Sequence, residues 1–215
     1  MYLVTDRGLI RGRDLVSLVL EAVRGGVSAV QLREKNCPAG EFVQLAGNLK
    51  DRLAESNVPL IINDRVDVAL AAGADGVHIG QEDIPYHQVR SMLGPNRIIG
   101  LSVNTYAQLM EADRTDVDYL SLSPVYPTQT KKDTKEPFGL EGLRKARSMT
   151  QKPLITIGGV NKQNLASIMA TGMDGVALVS AICAADSPEN AARELTDIIR
   201  YIKTRQDPAF ILQHQ

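Results

Sequence analysis

Short apolar runs alternate along this chain with longer stretches in which apolar residues recur every three or four positions, and Gly or Asp marks most junctions. The runs fall at 2–5, 29–33, 60–63, 76–79, 98–102, 119–123, 154–157 and 176–179. Their spacing, roughly 20 to 35 residues, is that of a strand followed by a helix. The periodicity predicts covering helices over 15–24, 42–54, 106–112 and 190–203, among others. Pro59-Leu60-Ile61-Ile62 and Arg97-Ile98-Ile99-Gly100 are apolar on both faces, as parallel strands are when helices cover one side and side chains fill the other. Eight such units predict an α/β fold, a (β/α)8 TIM barrel whose chemistry sits at the carboxyl ends of the strands. A doubly wound open sheet has the same periodicity, but no GxGxxG opens the first helix, where the chain has Asp6-Arg7-Gly8 instead. No linker or charge block divides the sequence, which predicts one domain over residues 1–215 with a tail from about residue 205. The long irregular segment 124–138 is rich in Thr, Lys and Pro and reads as a functional lid or a mobile loop.

The polar residues at the strand ends then need an explanation. In Val30-Gln31-Leu32-Arg33-Glu34-Lys35, the side chains of Gln31, Arg33 and Lys35 are spaced by two and project to one face. If Val30 and Leu32 meet the helices, the polar face looks into the barrel mouth, where an unpaired cation is costly to desolvate and an anion is wanted. The alternative is a structural network in which Arg33 pairs with Asp6 or Asp64. The next two strand ends, Ile62-Asn63-Asp64-Arg65 and Gly80-Gln81-Glu82-Asp83, supply acid. Asp64 and Asp83 suit a shared Mg²⁺, which takes one or two carboxylates plus phosphate oxygens, or else they are helix N-caps. Thr128, Thr130, Lys131 and Lys132 form the tip of the long loop, which closes over a phosphate or is solvated surface. Gly158-Gly159 and Val179-Ser180 place small residues after the last two strands, where barrels of this type hold phosphate monoesters. Gly158-Gly159 is otherwise only a tight turn.

Composition narrows the function classes. With 215 residues the chain can bury one sizeable core, and 24 Lys and Arg against 25 Asp and Glu leave no basic field for nucleic acid. The longest apolar stretch, near 176–185, is well short of the roughly 20 residues that span a bilayer, so no membrane partner is expected. Met1-Tyr2-Leu3-Val4 lacks the start of an export signal, and Cys37 and Cys183 read as two reduced thiols, so a cytoplasmic protein is expected. His78 lies inside the fourth strand, and neither it nor His87 or His214 has a metal or triad pattern. No nucleophile elbow surrounds any Ser or Cys. Two anion sites in one mouth, one metal-assisted, describe a transferase that joins a diphosphate to a phosphorylated acceptor.

The motifs VQLREK, INDRVD, GVHIGQED, YPTQTKKD, TIGGV and GVALVSAI occur in the order seen in thiamine phosphate synthases, and the likeness runs from YLVTD at Tyr2 to about Ile202. The chain thus resembles that family over nearly its whole length. The resemblance implies a barrel enzyme that couples hydroxymethylpyrimidine diphosphate to hydroxyethylthiazole phosphate. It implies that Arg33, Lys35, Asn63 and Lys131 hold the diphosphate and that Asp64 and Asp83 bind Mg²⁺. Arg33, Lys35 and Lys131 would carry the catalysis. Gln31 and Ser102 would address the pyrimidine, and Thr128, Thr130, Gly158, Gly159, Val179 and Ser180 the thiazole phosphate. Where the family usually shows Gly-x-Gly-Pro, this chain has Ser121-Leu122-Ser123-Pro124, and Ser123 is expected to narrow or rehydrate the pyrimidine pocket. Related thiazole tautomerases generally lack the acidic pair and the Lys-bearing loop, both present here. A tautomerase and a non-catalytic thiamine phosphate binder are the alternative functions. Phe210, Ile211 and Leu212 could pack beneath the barrel or against a second copy, which makes a homo-oligomer one expectation.

Overall fold

The computed structural model describes residues 1–127 and 136–206. The eight apolar runs form parallel strands β1 (Tyr2–Val4), β2 (Ala29–Leu32), β3 (Leu60–Asn63), β4 (Gly76–Ile79), β5 (Ile98–Val103), β6 (Tyr119–Leu122), β7 (Leu154–Thr156) and β8 (Gly175–Leu178). Each pairs with the next and β8 returns to β1, so the sheet closes and the open-sheet alternative is excluded. Around it lie α1 (Leu15–Arg24), α2 (Ala39–Ala54), α3 (Val66–Ala71), α4 (Tyr86–Leu93), α5 (Tyr106–Asp113), α6 (Gly139–Ser148), α7 (Leu165–Met169), the four-residue α8 (Ser180–Cys183) and α9 (Pro188–Gln206). No helix of the described residues is long and apolar enough to cross a membrane.

Strand alternation sorts the apolar side chains into two cores. Leu3, Val30, Leu32, Leu60, Ile62 and Val77 point outward and bury against the helices, together with residues such as Phe42 and Leu49 of α2. Tyr2, Val4, Ile61 and Ala177 point inward and fill the lumen with Ile98, Tyr119, Ile155 and Val179 around them. The lumen is therefore packed, as expected for eight strands.

The amino ends of the strands carry a repeated fastening. The residue just before each even-numbered strand grips the start of the odd-numbered strand before it. Asp75 accepts the Leu60 N–H at 2.8 Å while its own N–H donates to the Leu60 carbonyl at 2.9 Å. Asp118 does the same to Ile99 (2.7 and 2.9 Å) and Asp174 to Leu154 (2.8 and 2.9 Å). Ser28 repeats it on Met1, its hydroxyl taking the terminal ammonium at 3.0 Å. Each Asp is also held by a cation from the helix preceding that odd strand: Lys50 at 2.6 Å, Arg90 at 2.8 Å and Arg147 at 2.7 Å. With the amino ends tied down in this way, the carboxyl ends are left free to carry chemistry.

Candidate active site

β2 delivers the first ligands. Val30 and Leu32 are buried outward, so Gln31 faces the lumen, where its Nε2 donates to the Tyr2 hydroxyl at 2.9 Å. Arg33 lies one residue past the strand, its N–H on the Thr5 hydroxyl at 3.0 Å and its guanidinium 3.7 Å from Asp6. Because β2 ends at Leu32, strand pleating does not place Lys35; the following loop does, and its ammonium reaches the Asp64 carboxylate at 2.7 Å. Glu34, between the two cations, is nearly buried, and Arg7 from the turn after β1 bonds both of its carboxylate oxygens at 3.1 and 3.2 Å. Asp6, Arg7, Arg33, Glu34, Lys35 and Cys37 line a cavity of about 600 Å³.

The ends of β3 and β4 supply the acidic pair. Asn63 ends β3, and the chain then makes a tight turn centred on Asp64, with φ +61° and the Arg65 N–H on the Asn63 carbonyl at 2.7 Å. This is a left-handed conformation that Asp tolerates better than most side chains and that tends to mark functional sites. Asp83 comes back from the loop after β4 to accept the Gly80 N–H at 2.7 Å. The Asp64 and Asp83 carboxyl groups lie close enough to act on each other directly. Burial raises both carboxyl groups, but at Asp64 the hydrogen bond and charge of Lys35 prevail and hold it below the usual carboxylate range. At Asp83 burial and the Asp64 charge prevail and push it up. The N-cap reading fails for both residues: the N-cap positions are Arg65 before α3 and Pro85 before α4, each without a side-chain cap.

Ser102, inward on β5, bonds the His78 ring at 2.8 Å, and its carbonyl accepts from Gln81 Nε2 at 2.6 Å. Ser121 faces inward on β6, and just beyond the strand Asn104 Nδ2 donates to the Ser123 carbonyl at 2.7 Å. After β7, Gly158 (φ +102°) and Gly159 (φ +69°) are required by packing. A Cβ on either would come within 2.8 Å of the Pro124 or Tyr126 side chain, which binds the start of the long loop to the mouth. Val179 leads directly into α8 at Ser180, at the carboxyl end of β8. Thr128, Thr130 and Lys131 lie outside the described residues, as does the tail segment 207–215.

The structure thus brings Arg33, Lys35, Asn63, Asp64, Asp83 and Ser102 to one end of one barrel. Sequence reading missed Arg7 and the lumen hydroxyls of Tyr2 and Tyr119, and it assigned His78 no role. Aromatic and His residues on an apolar strand read as filling, and only closure of the barrel shows what they touch.

A sequence model described as thiamine monophosphate synthase matches residues 1–182. The chain belongs to this family. Thiamine monophosphate synthase family relatives include the thiamine-phosphate synthase of Syntrophomonas wolfei, 50% identical over 198 residues and covering 92% of this chain and 95% of the relative. That of Vibrio campbellii is 47% identical over 203 residues, covering 93% and 98%. Among solved structures, a thiamine phosphate pyrophosphorylase from Pyrococcus furiosus superposes with a TM-score of 0.85 at 38% identity, covering 94% of this chain and 95% of that one. The family likeness therefore extends over the barrel and its whole mouth.

Proposed function

We propose that this chain condenses hydroxymethylpyrimidine diphosphate with hydroxyethylthiazole phosphate to give thiamine phosphate and pyrophosphate, a step of thiamine biosynthesis. Family membership and relatives of this name at about half identity support the reaction. The observation that carries the site assignment is the Lys35–Asp64–Asp83 cluster, in which three consecutive strand ends meet in one mouth.

The chemistry asked of the chain is modest. The bond between the pyrimidine methylene carbon and the diphosphate oxygen breaks, both electrons leave with pyrophosphate, and the thiazole nitrogen lone pair forms the new carbon–nitrogen bond. No proton has to be removed at the reacting carbon, which suits a mouth without a nucleophile or base pattern. Arg33 and Lys35 would neutralise charge building on the departing oxygens, joined by Lys131 of the long loop. Asn63 would hold a diphosphate oxygen. Gln31 and Ser102 would fix the pyrimidine. Gly158, Gly159, Val179 and Ser180, with Thr128 and Thr130, would hold the thiazole phosphate.

The acidic pair fits a Mg²⁺ ion. Two neighbouring carboxyl groups, one of them raised by burial and by the charge of the other, form a hard-oxygen site short of positive charge. When bound, the ion supplies electrostatic stabilisation of the leaving pyrophosphate. The test is a pyrophosphate-release assay with both substrates, with and without Mg²⁺. Release is expected only with both substrates and the metal. Isomerisation of a carboxythiazole phosphate without any diphosphate, or product binding without release, would instead assign a tautomerase or a binding protein.

A further inference from the structure

A file of five polar side chains crosses the lumen beneath the mouth. Gln31 Nε2 donates to the Tyr2 hydroxyl at 2.9 Å, and the Tyr2 and Tyr119 hydroxyls lie 2.9 Å apart. Tyr119 Oη is 2.8 Å from His78 Nδ1, and His78 Nε2 is 2.8 Å from Ser102 Oγ. The residues come from β2, β1, β6, β4 and β5, so the file exists only because the barrel closes. In the strand register Gly100 sits between His78 and Tyr119. A Cβ there would lie 2.0 Å from the Tyr119 ring, so this glycine makes room for the phenol to lean across to the imidazole.

The number of protons gives the file a direction. Burial pushes both phenols well above the ordinary tyrosine range, so each keeps its single proton. An amide nitrogen can only donate. The Tyr2 oxygen receives from Gln31, so its own proton goes to Tyr119, and the Tyr119 proton goes to His78 Nδ1. A neutral imidazole that accepts at Nδ1 carries its proton on Nε2, and that proton goes to Ser102 Oγ. The Ser102 proton is then the one the file does not consume, and β5 holds that side chain at the mouth.

We propose that Tyr2, Tyr119 and His78 are positioning residues that hold His78 as its Nε2–H tautomer and thereby make Ser102 meet the substrate as a hydrogen-bond donor. The ligand atom opposite Ser102 is then an acceptor, an unprotonated ring nitrogen rather than an N–H. This selects heteroaromatic rings with a free lone pair at that edge. The substrate half of the inference rests on the condensation proposed above; the tautomer half does not.

The test is a ¹H–¹⁵N correlation spectrum of the histidine-labelled full chain, assigned with His87→Gln and His214→Gln variants. His78 should show a protonated Nε2 and a bare Nδ1. Tyr119→Phe should turn this single tautomer into a mixture. It should also raise KM for the pyrimidine diphosphate roughly tenfold, the worth of one hydrogen bond, with KM for the thiazole phosphate unchanged. Tyr2→Phe is the converse test: it leaves the Tyr119 proton no acceptor in the file but His78 Nδ1, so the single Nε2–H tautomer should persist. A proton on Nδ1 in the unaltered chain, one tautomer persisting in folded Tyr119→Phe, or a mixture in Tyr2→Phe would overturn the proposal. If the tautomer is as stated but the unaltered chain releases no pyrophosphate, the functional reading fails and the directed file stands.

Discussion

Asp64 and Asp83 are chemically identical side chains driven in opposite directions by what surrounds them. Lys35 holds Asp64 down, and burial beside that charge holds Asp83 up. The Lys35–Asp64 pair is half exposed on the lysine side and so adds at most about 1 kcal/mol to stability. The weight of the cluster is therefore on turnover. Asp64→Asn and Asp83→Asn should each lower Mg²⁺-stimulated pyrophosphate release by about 10²–10³-fold, the usual loss of one preorganised charge contact, with the melting temperature almost unmoved. Unchanged release in both variants would remove the metal assignment. A buried thiol gives a stability prediction instead. Cys183 Sγ donates to the Val4 carbonyl at 3.7 Å, and burial pushes its pKa up to about 11 from 9.0. Between those values the unfolded chain loses the proton and the folded chain keeps it. Stability is thus full below pH 9 and falls as pH rises through the window, by about 3 kcal/mol. Urea midpoints from pH 8 to 11 should show this fall, and Cys183→Ala should delay its onset to near pH 10, where the buried Tyr2 and Tyr119 phenols begin to act in the same direction. Cys37→Ala, whose thiol lies only partly covered at the mouth, should change the profile far less. Of these residues, the cations and acids were legible in the sequence because they interrupt apolar runs at strand ends. Arg33 also keeps the structural contact with Asp6 that spacing left open.

At the level of elements, β3, β4 and α1 fall where periodicity put them, because capping and apolar spacing agree there; Asp14 accepts the Ser17 N–H at 2.8 Å and starts α1. α2 begins three residues earlier than its first apolar residue, at Ala39, since the first turn of a helix needs only backbone partners and the Phe42 N–H finds the Pro38 carbonyl. β5 runs on to Val103 because β6 pairs with it there. The fastening of odd strands by Asp75, Asp118 and Asp174 could not be read from the chain. A lone Asp before a strand looks like any turn residue until its partner N–H, up to 20 residues away, is placed beside it. Removing one such carboxylate leaves a strand-start N–H and a helix cation without their partner. Asp75→Ala should cost about 2 kcal/mol, or roughly 4–8 °C in melting temperature for a chain of this size. Its kcat should stay the same, because the fastening lies at the opposite end of the strands from the mouth. A loss of kcat with an unchanged melting temperature would contradict that division of labour.

For the whole molecule, closure is what converts scattered residues into a site, and it also sets how the ligands should affect one another. The Lys35 ammonium lies on Asp64, so it and a divalent cation compete for the same carboxylate. Pyrophosphate that draws Lys35 toward itself leaves the two carboxyl groups with uncompensated negative charge and strengthens their hold on the cation. A cation on the pair frees Lys35 for a phosphate oxygen in turn, and this reciprocity is required of any binding linkage. Melting temperatures measured with Mg²⁺ alone, with pyrophosphate alone and with both should therefore show a joint shift larger than the sum of the two separate shifts. In Lys35→Ala the ammonium no longer competes, so Mg²⁺ alone should stabilise the barrel more than it does the unaltered chain, and the excess from adding pyrophosphate should shrink. Strictly additive shifts in the unaltered chain, or a Lys35→Ala variant that responds less to Mg²⁺ alone, would show that Lys35 and the acidic pair act independently.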